Sequence, residues 1–212
     1  MTNLLITDAG GACAVGVLKS LKSRKDVKIT ACDANPLASG LYLADKNYTI
    51  PTIYDTDFVD VMFSILKREK IDVIFPTGGI DLLWWSDNKD TFEDMGVTLM
   101  MSDYKSIQKC VDKLLFYETC KDNFLLPKTY TEFQGYTMFM KPVHGKGSVG
   151  ARLITPHNQI PTDQPYLFQE NLPGVEWIID ALCDMDGNPL SVIPRKRLEV
   201  KAGISTKGVI QL

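Results

Sequence analysis

The chain has 212 residues, 45% of them hydrophobic and 23% charged, with a formal net charge of −3. That length buries a real core in one or two domains, and the balance leaves no basic excess to cover a phosphate backbone, which argues against nucleic acid as a partner. No apolar run reaches the roughly 18–20 residues that span a bilayer, and Met1-Thr2-Asn3 opens no basic region followed by an apolar core, so neither a membrane partner nor a signal peptide is expected.

The first third alternates strand and helix patterns. Leu4-Leu5-Ile6-Thr7 is a short apolar run ending at Asp8-Ala9-Gly10-Gly11, and Val15, Leu18 and Leu21 recur at helical spacing. Lys28 to Cys32 predicts a second strand, closed by Asp33 and Asn35-Pro36. Phe58, Val61, Met62, Ile65 and Leu66 form one apolar helical stripe. Val73-Ile74-Phe75 predicts a buried strand, Leu82 to Phe92 a helix, and Val97 to Met100 a last strand. This rhythm implies a parallel sheet covered by helices.

A boundary falls near Met101-Ser102-Asp103, with Ser102 as N-cap. Ile107, Cys110, Val111 and Leu114 then form one stripe, and Leu126-Pro127 ends the helical region. Strand patterns follow over Met138–Pro142, Ala151–Ile154, Tyr166–Glu170, Trp177–Cys183 and Leu190–Arg197, separated by turn residues at 145–150, 173–174 and 186–188. The five cysteines, at 13, 32, 110, 120 and 183, are odd in number and contain no Cys-x-x-Cys pair. This predicts reduced thiols in a cytoplasmic protein and no structural zinc. With His144 and His157 as the only histidines, a multi-histidine metal site is excluded.

Four features could carry chemistry. Lys141 ends an apolar strand and leads into Gly145-Lys146-Gly147-Ser148-Val149-Gly150. Glycines let backbone N–H groups approach phosphate oxygens, and a lysine adds a point charge. Lys146 precedes glycine and no helix follows, so this is not a Walker loop; a glycine-rich hairpin with an exposed lysine fits the same residues. Glu170 and Glu176 flank Asn171-Leu172-Pro173-Gly174, where acceptor-only carboxylates suit an amine or ribose hydroxyls; a solvated surface turn fits as well. Asp112-Lys113 is a third feature, solvated when read alone. Arg195-Lys196-Arg197 places two guanidiniums on one strand face, which suits an anion or a solvated charge run.

Their order is more specific than any one of them. Asp112-Lys113, Pro127-Lys128-Thr129, Lys141-Pro142, the glycine loop, Gln169-Glu170, Pro173-Gly174, Glu176 and Arg195-Lys196-Arg197 together resemble the ATP-grasp family. Asp8-Ala9-Gly10-Gly11-Ala12, Ala31 to Pro36 and Asp72 to Thr77 are similar to carbamoyl-phosphate-synthase-large-subunit-like members. The resemblance implies an α/β fold. A Rossmann-like parallel-sheet domain over 1–101 precedes an α+β ATP-grasp portion over 102–212, with a small lid at about 128–185. The resemblance implies that Lys113 and Lys141 hold ATP phosphates and that Gly147 and Ser148 belong to a mobile covering loop. It assigns adenine to Glu170 and the backbone of Asn171 and Leu172, ribose to Glu176, a further polar contact to Ser205 and a catalytic role to Arg197.

Members activate a carboxylate or bicarbonate-like substrate as an acyl phosphate that a nucleophile attacks, and magnesium bridges the phosphates. They can be homo-oligomers. In relatives the metal ligands are a Glu and a later Glu-x-Asn-Pro-Arg-like segment. No such segment follows Arg197, so no metal ligand is assigned here, the fold is expected to be incomplete at its C-terminus, and this chain alone is expected to be inactive. Two other functions compete. Gly10-Gly11, Gly16 and Asp33 suggest an NAD-type oxidoreductase, although Gly-x-Gly-x-x-Gly is absent. The other is a non-catalytic subunit of a split enzyme.

Overall fold

The computed structural model describes residues 1–79, 82–145, 147–201 and 204–210. It divides the chain into two units, Met1–Gln108 and Lys109–Leu212.

In the first unit, β1 (Thr2–Ile6), β2 (Val27–Asp33), β3 (Lys46–Thr49), β4 (Val73–Phe75) and β5 (Thr98–Leu99) form one parallel sheet in the order β3-β2-β1-β4-β5. β1 is central, and Leu5 and Ile6 are fully buried although they point to opposite faces. A parallel strand with helices on both sides needs such a continuous apolar run. Leu5 packs with α2 (Phe58–Glu69), whose buried residues Phe58, Met62, Ile65 and Leu66 recur at helical spacing. Ile6 packs on the other side with Ala14 and Leu18 of α1 (Ala12–Leu21). Each of the Leu, Ile, Met and Phe side chains among them contributes about 1.5–3 kcal/mol by leaving water.

Up to α5, the elements differ from the expected ones in three places. β3 was not foreseen, because Lys46 and Asn47 are exposed on an edge strand and give no apolar signal. The helix expected over Leu82–Phe92 is two, α3 (Leu82–Asp87) and α4 (Lys89–Asp94), parted at Asn88, whose side-chain amide donates to Trp84 O at 2.8 Å. The cap of α5 (Tyr104–Val111) is Asp103 rather than Ser102. Its carboxylate accepts from the Ser106 backbone N–H at 3.1 Å and from the Ser106 hydroxyl at 2.6 Å.

In the second unit, the single stripe expected across Ile107 to Leu114 is cut at Asp112. Asp112 caps a new helix, α6 (Lys113–Cys120), by accepting from Leu114 N and Leu115 N, both at 2.9 Å. A four-stranded sheet runs in the order β6-β9-β7-β8, with β6 at Thr129–Tyr130, β7 at Met138–Pro142, β8 at Arg152–Ile154 and β9 at Tyr166–Glu170. Its neighbouring strands pair antiparallel. Met138, Met140, Ile154 and Phe168 form its core. A second antiparallel sheet holds β10 (Trp177–Cys183), β11 (Pro189–Lys201) and β12 (Ile204–Ile210). The parallel-sheet domain followed by an α+β portion is therefore present. β6, β12 and the full length of β11 were not foreseen.

Candidate functional site

β7 alternates strictly: Met138, Met140 and Pro142 are buried, and Phe139 and Lys141 are half-buried. Successive side chains on a strand point to opposite faces, so packing one face on the apolar core delivers Phe139 and Lys141 together to the other. On β9, Gln169 pairs opposite Phe139 and Leu167 opposite Lys141, so these four share that face. Lys141 Nζ lies 5.4 Å from the centroid of the Phe139 ring and donates to Gln169 Oε1 at 2.6 Å.

α6 brings a second cation to the same place. The Lys113 backbone N–H donates to Val143 O at 3.1 Å, which stitches the helix start to the segment after β7. Lys113 Nζ donates to Gly145 O at 2.9 Å and Val143 O at 3.4 Å, so a lysine that reads as solvated in sequence is tethered to the glycine loop. The loop returns to β8 through Ser148 O, which accepts from Ala151 N at 3.1 Å. Gly150 has φ +74°, and a Cβ there would meet Pro142 Cγ at 2.9 Å. Lys146 lies outside the described residues.

Two cavities meet at these lysines. The larger, about 480 Å³, is lined by Lys113, Lys141, Gly145, Gly147, Ser148, Glu176 and Arg197, with Phe139 and Val200 among its apolar walls. The other, about 340 Å³, is walled by Phe116, Tyr117, Leu126, Pro127 and Leu167, with Cys110, Lys113, Lys141 and Gln169 completing it. Burial, and then the charge of Lys113, pushes the Lys141 ammonium below its ordinary pKa, against a smaller opposing pull from Glu176. Burial likewise pushes Lys113 down. A half-buried pair of cations beside an apolar pocket is a surface that an anionic ligand with an apolar ring would relieve.

The other predicted residues divide. Glu176 and Arg197 form an ion pair on the cavity wall, and the Arg197 N–H donates to Glu176 O at 3.1 Å. Arg195 instead pairs with Asp180 at 2.9 Å, so each arginine of the β11 pair faces a carboxylate of its own protein. Glu170, Asn171, Leu172 and Ser205 line neither cavity. Glu170 Oε1 accepts from Lys128 N at 2.8 Å, Asn171 and Leu172 are exposed, and the Ser205 hydroxyl donates to Lys207 O at 3.2 Å. Gly203, beside Ser205, lies outside the described residues. Gln169 was missed as a cavity residue; its signal is a polar side chain in register with apolar neighbours on a strand.

Residues 4–100 match the family described as PylC-like, N-terminal domain, and residues 110–209 match the ATP-grasp domain. The chain is an ATP-grasp protein with a PylC-like N-terminal domain. Solved structures share this ATP-grasp fold. An L-amino acid ligase from Bacillus licheniformis matches with a TM-score of 0.73 at 15% identity, over 100% of this chain and 55% of its own. N5-carboxyaminoimidazole synthetase from Staphylococcus aureus, complexed with ADP, matches at 0.68 and 16%, over 96% and 56%. The biotin carboxylase domain dimer of Hydrogenobacter thermophilus 2-oxoglutarate carboxylase, in complex with MgADP, ADP and bicarbonate, matches at 0.66 and 17%, over 92% and 50%. This ATP-grasp protein therefore spans about half the length of those structures. No curated protein sequence matches it.

The ATP-grasp domain's two cavities suit a nucleotide, with ammonium groups for phosphates and an apolar pocket beside them. They do not suit magnesium equally well. Among the described residues, no group of three or more His, Cys, Asp or Glu could hold a metal ion, and Glu176 is already paired. Among the described residues, no helix is long and apolar enough to cross a membrane.

Proposed function

We propose that this chain is the ATP-binding part of an ATP-dependent ligase, and that the convergence of Lys113 and Lys141 on one cavity marks where the phosphates sit. The observation that carries this reading is the pair of half-buried ammonium groups on one cavity wall, Lys113 held by Gly145 O of the glycine loop and Lys141 by the Gln169 carboxamide. Lys113 and Lys141 hold phosphate oxygens, Gly147 and Ser148 cover them, and Glu176 meets the ribose after turning from Arg197. Glu170 acts through the strand end it fixes at Lys128, leaving the Asn171 and Leu172 backbone to the adenine edge. Arg197 stands on the side of the reacting carboxylate, and Ser205, which lines neither cavity, supplies a further polar contact.

In the whole protein, ATP supplies the phosphoryl group that converts a carboxylate or bicarbonate-like substrate into an acyl phosphate, which a nucleophile then attacks. A carbamoyl-phosphate-synthase-like version of that chemistry is the finer form of the proposal. Magnesium accompanies ATP, held by ligands other than the residues described. The domain limits 1–101 and 102–212, the lid at about 128–185, a cytoplasmic location and a homo-oligomeric state belong to the same reading. Isothermal calorimetry tests its centre. Lys141→Ala should weaken ATP at least about tenfold, since losing one partner of a buried charged contact costs roughly 2–5 kcal/mol. Equal affinity in the two proteins would remove Lys141 from the site.

A further inference from the structure

We propose that Gln169 is a positioning residue for Lys141: its carboxamide, itself oriented by Thr129, fixes the ammonium on the wall shared by the two cavities without cancelling its charge. The proposal rests on reading Lys141 as the phosphate-binding group.

The hydrogen bonds define a directed chain. Lys141 Nζ donates to Gln169 Oε1 at 2.6 Å, Gln169 Nε2 donates to Thr129 Oγ1 at 2.9 Å, and Thr129 Oγ1 donates to Pro127 O at 2.9 Å. An ammonium can only donate, so the amide oxygen must face Lys141 and the amide nitrogen must face away. A hydroxyl committed to the Pro127 carbonyl receives that nitrogen with its free lone pairs. Each group thus fixes the next, and the amide has one orientation only. Bonds aligned in this sense polarise one another in the same direction.

The strands supply the geometry. Thr129 of β6 pairs opposite Gln169 of β9, and Gln169 pairs opposite Phe139 of β7, so all of them ride on one sheet. A lysine stem is long and flexible, and an untethered ammonium would swing away from the like charge of Lys113. A carboxylate at position 169 would also tether it but would neutralise the charge an anion needs. A neutral acceptor holds the ammonium and leaves its charge for the ligand. Burial and Lys113 oppose the charged form of Lys141, which makes that acceptor matter.

The test reads Lys141 directly in the full 212-residue chain. The rate of acylation of Lys141 by acetic anhydride is followed against pH by peptide mass spectrometry, beside calorimetric titration with ATP. In Gln169→Met the Lys141 profile should move to lower pH by about half a pH unit or more, because the ammonium loses its acceptor. In Gln169→Glu it should move to higher pH, and Thr129→Val should follow Gln169→Met by a smaller amount. ATP should weaken about three- to tenfold in both Gln169 variants. An unmoved Lys141 profile in both variants overturns the proposal, as does unchanged ATP affinity where Lys141→Ala loses it. If the parent chain binds no ATP while the profiles move as stated, the phosphate reading of Lys141 falls and the positioning of its ammonium stands. If Gln169→Met fails to fold, Gln169→Glu alone carries the decision through the direction of its shift.

Discussion

Lys141 holds its charge in surroundings that oppose it, and that fixes a pH signature. Its folded pKa is depressed by burial first and Lys113 second, below the ordinary lysine value of 10.5. The unfolded chain therefore binds that proton more tightly. Through this group, stability rises with pH across the window from the depressed value up to 10.5. A polyphosphate reverses the preference, because it favours the ammonium. ATP affinity should accordingly be high below the depressed value and fall as pH rises through it, before an ordinary lysine would titrate. Calorimetric dissociation constants from about pH 7 to about pH 10 check this; a flat profile would take both lysines off the phosphates. At this scale the sequence shows which residues are chemical but not how they are engaged. Lys141 is legible from its place at a strand end before a glycine loop, whereas Lys113 reads as solvated by itself and enters only through the family resemblance. The pairing of Arg197 with Glu176, and of Arg195 with Asp180, is not, because it depends on the register of β10 against β11.

The elements follow from short-range physics where the pattern is strong. α2 is legible because four buried residues lie on one stripe. β3 and β6 are not, since a four-residue polar edge and a two-residue strand exist only through their neighbours. The same holds for the break at Asp112, where an apolar stripe runs on and only the capping carboxylate reveals a new helix. That cap is testable. Asp112→Ala removes the acceptor for two backbone N–H groups and should cost about 1 kcal/mol, with a range of roughly 0.5–2, in urea unfolding. The same change should weaken ATP, since Lys113 is the first residue of α6; a stability loss with unchanged ATP affinity would separate the helix from the site. The opposite sign is expected at the end of α2. Lys70 sits there at φ 51°, in the left-handed region, with its backbone N–H on Leu66 O. An L side chain in that conformation costs roughly 1–2 kcal/mol, and glycine removes the cost while loosening the unfolded chain. Lys70→Gly should therefore raise stability by about 0.5–1 kcal/mol, read from the midpoint of the same urea transition. A destabilised variant would mean that the Lys70 side chain does more than end a helix.

At the scale of the molecule, the two units carry different parts of the question, and a nucleotide can distinguish them. The first unit has a parallel sheet, Gly10-Gly11 after β1 and an acid, Asp33, at the end of β2, which together fit a dinucleotide. Its geometry argues otherwise. Asp33 Oδ2 accepts from Gly10 N at 2.7 Å and Asp33 Oδ1 accepts from Asn35 N at 2.7 Å, so both oxygens are engaged in holding loops rather than open to ribose hydroxyls. Gly10 is itself crowded, with a Cβ there meeting Ala38 Cβ at 3.2 Å and Asp33 Oδ2 at 3.3 Å, which explains the glycine by packing alone. In the second unit, the ammonium groups of Lys113 and Lys141 face cavities and are held by neutral oxygens, which leaves their charge for an anion. The expected outcome is that ATP raises the thermal midpoint of the chain and NAD does not. Hydrogen exchange with ATP should slow at residues 113–116, 139–145 and 167–169, and stay unchanged at residues 8–16 and 31–35. Protection that appears at 8–16 with NAD, and not at 139–145 with ATP, would move the ligand to the parallel sheet and restore the oxidoreductase reading.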